Sequence, residues 1–302
     1  MLHITLRQLK VFESVARNLS FTRAAGELHL SQPAVSMQVR QLEDAVGLPL
    51  FEQIGKKIHL TGAGQELYRY GREIGQKLAE AEGVLEEMKG MQRGRLVVSM
   101  VSNANYFIPR LLSVFCQRFP GIAVNLDVAN REKLLQQLAD NEMDIGIMGQ
   151  PPEGAELVAE PFLENPLVVI AAPSHPLAAE KHIPVARLEG ETFLLREKGS
   201  GTRMAMERIF AQHGIAPPQG MEMSTTEAIK QAVAAGMGLA VVSLYTVELE
   251  VETRRLAVLD VEDFPIARHW YAVYRKGKRL SAVAQAFHDF LLDEAKTLLA
   301  AG

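Results

Sequence analysis

The stretch from Ser20 to Val46, SFTRAAGELHLSQPAVSMQVRQLEDAV, constrains this chain most, because it encodes two short helices separated by a tight break. Ser20 is a good N-cap for the first, and Ala24 and Ala25 let another helix pack closely, with Leu28 on the same face. His29 to Ser31 interrupt the pattern. Ser31 suits the cap of the second helix, and Pro33 falls in its first turn, where a fixed φ and a missing N–H do little harm. Val35, Val39, Leu42 and Val46 then recur at steps of four, three and four, which places them on one buried stripe. The remaining arc carries Ser36, Met37, Arg40 and Gln41, with Gln32 and Pro33 at its N-terminal end. Amide, hydroxyl and guanidinium groups reach base edges and phosphates, and a methionine can lie against a thymine methyl. The bland alternative is a piece of helical bundle with a polar outer face.

The order of residues separates the two. The run F-T-R-A-A-x-x-L-x-L-S-Q-P-A-V-S-x-Q-V-R-x-L-E, from Phe21 to Glu43, resembles the helix-turn-helix of the LysR-type transcriptional regulators. That resemblance implies double-stranded promoter DNA as a partner. Ahead of it, Thr5 and Gln8 suit a capping box for a supporting helix with Leu6, Leu9, Phe12, Ala16 and Leu19 as its apolar stripe. Behind it, Leu50 to Gln53 and Lys57 to Leu60 read as a hairpin turning at Ile54, Gly55 and Lys56, similar to the wing of that family. Lys56 and Lys57 are candidates for phosphate contact, against the alternative of a solvated turn. Many family members carry arginine where this chain has Gln53, which puts a minor-groove contact from that position in doubt.

The net charge of -4 seems to oppose nucleic acid, but the total hides an asymmetry. Residues 1–60 hold seven Lys and Arg against five Asp and Glu, whereas residues 94–302 hold 20 against 25. The N-terminal excess is slight, so DNA binding has to rest on placed residues and dimerisation rather than on a strongly basic surface. The single Cys116 excludes an intramolecular disulfide and any cysteine-based zinc cluster, and reads as a buried small hydrophobe. The N-terminus has no signal-peptide pattern, since Arg7, Gln8 and Lys10 interrupt its first apolar residues, and no apolar run approaches the roughly 20 residues that span a bilayer. The expected compartment is the cytoplasm, with no membrane partner.

Thr61 opens a long helix to about Met88 or Gly90, in which Leu67, Ile74, Leu78, Ala81, Leu85 and Met88 form a heptad seam with Gly71 in its one gap. A surface helix on its own domain is the alternative to self-association. The segment looks like the dimerisation helix of LysR-type regulators, and the resemblance implies a dimer through it and a homotetramer through further regulatory-domain contacts. From Gly94 the texture becomes alternating strand and helix, which implies an α/β fold with a largely parallel sheet. Strands are expected at 96–101, 122–128, 144–148, 167–171, 192–196, 221–224, 239–242 and 270–274, and helices at 106–119, 133–140, 203–213, 226–235 and 281–299. Two lobes joined by two crossings are similar to type 2 periplasmic binding proteins, the regulatory domain of the family. The expected architecture is therefore a winged helix-turn-helix over 1–60, a linker helix over 61–92, and a regulatory domain over 93–302. Its lobe I covers about 93–161 and 268–302, and its lobe II about 162–267.

Ligands in such sheets bind beyond the strand ends, where helix N-termini point positive ends at anions. Four such ends carry suitable residues: Ser102 and Asn103, Asn130 and Arg131, Ser200 through Arg203, and Ser224 through Thr226. The candidate effector residues are Ser102, Asn103, Asn130, Ser200, Gly201, Thr202, Arg203, Thr225 and Thr226, with Arg203 as the charged partner. Each alone also reads as a plain helix cap. Glu197 would repel an anion unless it turns away or pairs with Lys198 or Arg203.

The segments V-S-N-A-N-Y-F-I-P-R-L-L, N-R-E, I-M-G-Q-P-P and L-R-E-K-G-S-G-T-R together look most like the regulators of Calvin-cycle (RuBisCO) carbon-fixation operons, the CbbR-like group. The resemblance implies a transcriptional activator with no fixed cofactor. Its effector would be a small anionic metabolite, either a phosphorylated sugar or acid or an NADPH-like nucleotide, and RNA polymerase a further partner. A regulator of another metabolic operon, or a cytoplasmic solute-binding protein, are the alternatives. An enzyme finds little support: there is no HExxH, no G-x-S-x-G and no Walker loop, and the eight histidines are scattered, with His175 before a proline and His269 beside a strand.

Overall fold

The computed structural model describes residues 4–55, 57–88, 93–216 and 220–300, without the side chains of 83, 84 and 86–88. The chain divides into two compact units, Met1–Glu82 and Gly83–Gly302.

The first unit begins with α1 (Leu6–Asn18), α2 (Phe21–Glu27) and α3 (Gln32–Val46). Thr5 and Gln8 make the capping box of α1, Ser20 accepts from Arg23 N to cap α2, and Ser31 accepts from Ala34 N to cap α3. Leu9, Phe12 and Ala16 are buried together with Val11 and Val15, whereas Leu6 and Leu19 are exposed. Leu6 opens α1 and Leu19 lies past its last turn at φ 44°, so neither continues the expected stripe. Ala24 and Ala25 pack with Val11, Val15, Val35 and Val39. Phe12, Ala16, Leu42 and Leu50 form a second cluster that half-buried Val46 joins from its edge.

A hairpin of β1 (Phe51–Ile54) and β2 (Lys57–Leu60) follows. Glu43 ties it to α3 by accepting from Leu50 N at 2.8 Å and Phe51 N at 3.3 Å. Ile54 pairs with Lys57, so Ile54 belongs to the strand and not to the turn, and Gly55 supplies the positive φ that the turn requires. Lys56 lies outside the described residues.

Helix α4 (Gly62–Met88) runs 27 residues, or about 40 Å at a rise of about 1.5 Å per residue. Thr61 Oγ1 accepts from Gly64 N, and a Cβ on Gly64 would stand 2.1 Å from Leu50 O, so only glycine lets the helix start against the hairpin. The heptad seam is divided. Leu67 packs on the cluster of Phe12 and Leu42, and at buried Gly71 a Cβ would meet Leu9 Cδ2 at 3.0 Å, so the first part of the seam is used within the unit. Ile74, Leu78 and Leu85 remain 42%, 42% and 56% exposed, with Ala81 exposed between them. The side chain of Met88 lies outside the described residues.

The second unit contains two sheets. The elements of the first lobe are β3 (Gly94–Val101), α5 (Ile108–Arg118), β4 (Ile122–Ala129), α6 (Arg131–Ala139), β5 (Ile145–Met148) and β6 (Leu157–Glu164). The second lobe follows with β7 (Leu167–Ala171), β8 (Leu195–Arg196), α7 (Gly201–Gln212), β9 (Glu222–Met223), α8 (Thr226–Ala234), β10 (Ala240–Ser243), α9 (Glu248–Glu252) and β11 (Ala257–Val258). The chain then returns to the first sheet with β12 (His269–Arg275) and ends in α10 (Ala282–Ala300). The first sheet has the order β4-β3-β5-β12-β6. Its β4, β3 and β5 are parallel, but β12 runs antiparallel to both β5 and β6. In the second lobe β7 lies between β10 and β11, antiparallel to both, so "largely parallel" holds for only part of the fold. The order of strands and helices does not reveal which way a strand enters once the chain has crossed between lobes.

Alternation distributes the core. Leu96, Val98 and Met100 of β3 face α5 and α10 through Phe107, Phe115 and Phe287, while α6 covers the other face with Leu134 and Leu138. In β7, Leu167, Val169 and Ala171 pack with Phe210 of α7, and Val168 and Ile170 pack with Ile229 and Val233 of α8. Cys116 is half-buried rather than buried.

The two crossings run side by side. Asn165 N donates to Arg268 O at 2.7 Å, and Leu167 and Ile266 exchange backbone bonds at 3.1 and 2.9 Å. Strand β6 carries the first sheet to Glu164, so 162–164 belong to lobe I and not to lobe II.

Candidate functional site

Two surfaces carry the expected chemistry, one in each unit. On α3, Gln32, Pro33, Met37 and Arg40 are exposed, and Ser36 is half-buried beside them. Gln32 Nε2 donates to Ser36 Oγ at 2.9 Å, which holds the amide along the helix face. Arg40 makes no ion pair among the described residues, and Lys57 projects from the hairpin likewise. The stripe that buries Val35, Val39 and Leu42 thus leaves amide, hydroxyl, thioether and guanidinium groups facing outward together.

In the second unit a solvent-open cleft of about 520 Å³ lies between the lobes. The first lobe lines it with Ser102, Asn103, Asn130 and Arg131, and the second with Arg196, Glu197, Ser200, Gly201 and Thr202. The crossings add Asn165, Leu167, Arg268 and Trp270. Asn130 caps α6 through Lys133 N, and Ser200 opens α7 without a side-chain cap bond, so both helices begin at the cleft.

Its charge is decided by which arginines are already paired. Buried Arg196 grips both oxygens of Glu197 at 2.7 and 2.9 Å, and its Nη1 reaches Asn103 Oδ1 at 2.9 Å and Thr226 Oγ1 at 3.1 Å. The carboxylate at 197 is therefore answered by Arg196, not by Lys198 or Arg203. Arg131 and Arg268 differ. Arg131 Nη1 donates to Gln150 O at 2.6 Å and Arg268 Nη1 to Gly201 O at 2.7 Å, and neither has a carboxylate partner among the described residues. Burial pushes both guanidiniums below the ordinary arginine range, and Arg208 and Arg131 lower Arg268 further. Two desolvated cations without counter-ions make the cleft a site for an anion.

Three expected residues stand elsewhere. The Arg203 guanidinium is absorbed by Glu207 at 2.8 Å, Glu222 at 2.7 Å and Arg196 O at 3.0 Å, so it braces the loop and does not line the cleft. Thr225 caps α8 by accepting from Ala228 N. Thr226 is buried with its hydroxyl bonded to Asn103. Arg268 has no signal in the sequence, because it reaches the cleft from a crossing 67 residues after Gly201.

Among the described residues no group of three or more His, Cys, Asp and Glu could hold a metal, and no helix is long and apolar enough to cross a membrane.

The family models match both units: the lysR-family bacterial regulatory helix-turn-helix protein over residues 6–65, and the LysR substrate binding domain over residues 89–296. The chain belongs to the LysR family of transcriptional regulators. This LysR-family chain is similar to a RuBisCO operon transcriptional regulator of Allochromatium vinosum, 60% identical over 97% of each chain. A second RuBisCO operon transcriptional regulator, from Acidithiobacillus ferrooxidans, is 50% identical over 96% of this chain and 94% of its own. Among solved structures, the regulatory domain of Synechocystis PCC6803 CcmR in complex with 2-PG is 45% identical with a TM-score of 0.65, covering 68% of this chain and 98% of that one. Like its relatives, this LysR-family protein is a transcriptional regulator and not an enzyme.

Proposed function

We propose that this regulator controls carbon-fixation genes from the cytoplasm, as an activator whose promoter binding responds to a small phosphorylated anion in the cleft. The unpaired Arg131 and Arg268 carry the ligand reading, because a phosphate or carboxylate between the helix N-termini supplies the counter-charge they lack. The Synechocystis domain in complex with 2-PG supports that chemical class, and a phosphorylated acid or sugar suits the cleft better than an NADPH-like nucleotide, whose bulk exceeds it. The relatives at 60% and 50% identity support the target genes.

On this reading Gln32, Pro33, Ser36, Met37 and Arg40 enter the major groove of double-stranded promoter DNA while Lys56 and Lys57 meet phosphates. Ile74, Leu78 and Leu85 pair two chains through the segment 61–92, regulatory domains complete a homotetramer, and RNA polymerase contacts the assembly at the promoter. Footprinting on the promoter of the carbon-fixation operon from the same genome, with and without phosphoglycolate, tests the proposal. A protected region that shifts its boundary with the anion is expected. Protection that is absent, or identical in both conditions, overturns it.

A further inference from the structure

We infer that the cleft reads a hydroxyl group on its anionic ligand through Asn165 and Trp270. The inference rests on the anion reading above and extends it from charge to shape. Both residues line the cleft on the crossings. Asn165 N bonds Arg268 O, which sets Asn165 opposite Arg268, and Trp270 follows two residues later, so alternation returns it to the side that Arg268 occupies. Asn165 is 5% exposed and Trp270 1%, yet Asn165 Oδ1 and Trp270 Nε1 are buried with no hydrogen-bond partner in the protein. Buried polar atoms are nearly always paired, so two orphans beside two unpaired cations belong to one unfilled recognition set.

Their chemistry selects the third group. The amide oxygen needs a donor and the indole N–H needs an acceptor. A carboxylate or phosphate offers acceptors alone and leaves Asn165 unsatisfied. An ammonium offers donors alone, leaves Trp270 unsatisfied and is repelled by Arg131 and Arg268. A hydroxyl donates to one and accepts from the other, so the ligand class is a phosphorylated hydroxy acid or sugar.

The test is calorimetry on the full-length protein with 3-phosphoglycerate and with its deoxy analogue, phosphorylated 3-hydroxypropionate. One hydroxyl separates the two probes. At least an approximately tenfold weaker affinity for the deoxy probe is expected of the wild type, and in Asn165→Ala and Trp270→Phe this preference should shrink to about twofold or less. Trp270 is the chain's single tryptophan, so its emission should also shift with the hydroxyl-bearing probe and not with the deoxy probe. Equal wild-type affinities, or a preference that survives in both variants, overturn the inference while leaving the anion reading intact. Binding of neither probe overturns both. If a variant does not fold, the wild-type comparison and its emission still decide.

Discussion

Thr226 of the second lobe donates to Asn103 Oδ1 of the first at 2.6 Å, and Arg196 Nη1 reaches the same oxygen at 2.9 Å. One amide oxygen thus takes two donors from across the cleft, in a place where all three side chains are buried. Asn103→Ala leaves a hydroxyl and a guanidinium N–H unpaired, and should lower stability by about 1–3 kcal/mol. Urea unfolding of the full chain checks this, and an unchanged midpoint contradicts it. Asn103→Asp keeps the acceptor but adds a negative charge, so it should weaken anion binding more than it weakens folding.

Arg203→Ala should act on the fold. Its guanidinium joins Glu207, Glu222 and Arg196 O while lying off the cleft, so the loss is about 1 kcal/mol for each partly exposed pair. Thermal unfolding should fall by several degrees. A loss of anion affinity without a loss of stability would return Arg203 to the site.

The contrast between Arg203 and Arg268 shows what the sequence carried. Local rules were enough for α3: an N-cap at Ser31, a proline in the first turn and apolar steps of four and three describe a helix whose outer face must hold Gln32, Met37 and Arg40. The glycine-rich loop before α7 was equally legible as a strand-to-helix turn at the cleft, and Ser200, Gly201 and Thr202 stand there. Periodicity does not say which of two arginines in that loop turns inward, and here two glutamates, distant by four and 19 residues, capture Arg203. Arg268, Asn165 and Trp270 were invisible because strand pairing between crossings more than 100 residues apart brings them together. Strand β6 hid for a related reason: Pro161 interrupts its sequence pattern, but β6 is an edge strand, where proline is tolerated.

The anion should bind more tightly as pH rises through the second ionisation of its phosphate, at about 6. Burial lowers the affinity of Arg131 and Arg268 for protons, but guanidiniums stay charged throughout the accessible range, so the site itself does not titrate. Titrations at about pH 5.5 and 7.5 should therefore show stronger binding at the higher value. Weaker binding there would mean that the cleft takes the monoanion.

Gln32→Ala and Arg40→Ala should each cost about 1–3 kcal/mol of discrimination between the operator and a mutated site. Both side chains are exposed, so the fold should not change. Competition shift assays at several salt concentrations separate this from a loss of phosphate contacts, which would weaken all sequences alike. Equal losses on both sites would move the reading function away from α3.

Charges at Leu78 and Leu85 should prevent chain pairing without unfolding either unit, since both are exposed and only Leu67 and Gly71 of the seam are used internally. Sedimentation should show smaller assemblies and operator binding should fall. Wild-type assembly in the double variant Leu78→Glu, Leu85→Glu would place the interface elsewhere.

Calorimetric titration of the full-length protein with phosphoglycolate, in wild type and in the double variant Arg131→Ala, Arg268→Ala, tests the central claim most directly. Each charge-assisted contact is worth about 1.5–3 kcal/mol, so removing both should weaken binding by about 100-fold or more. An unchanged affinity in a folded double variant would contradict the assignment of the cleft.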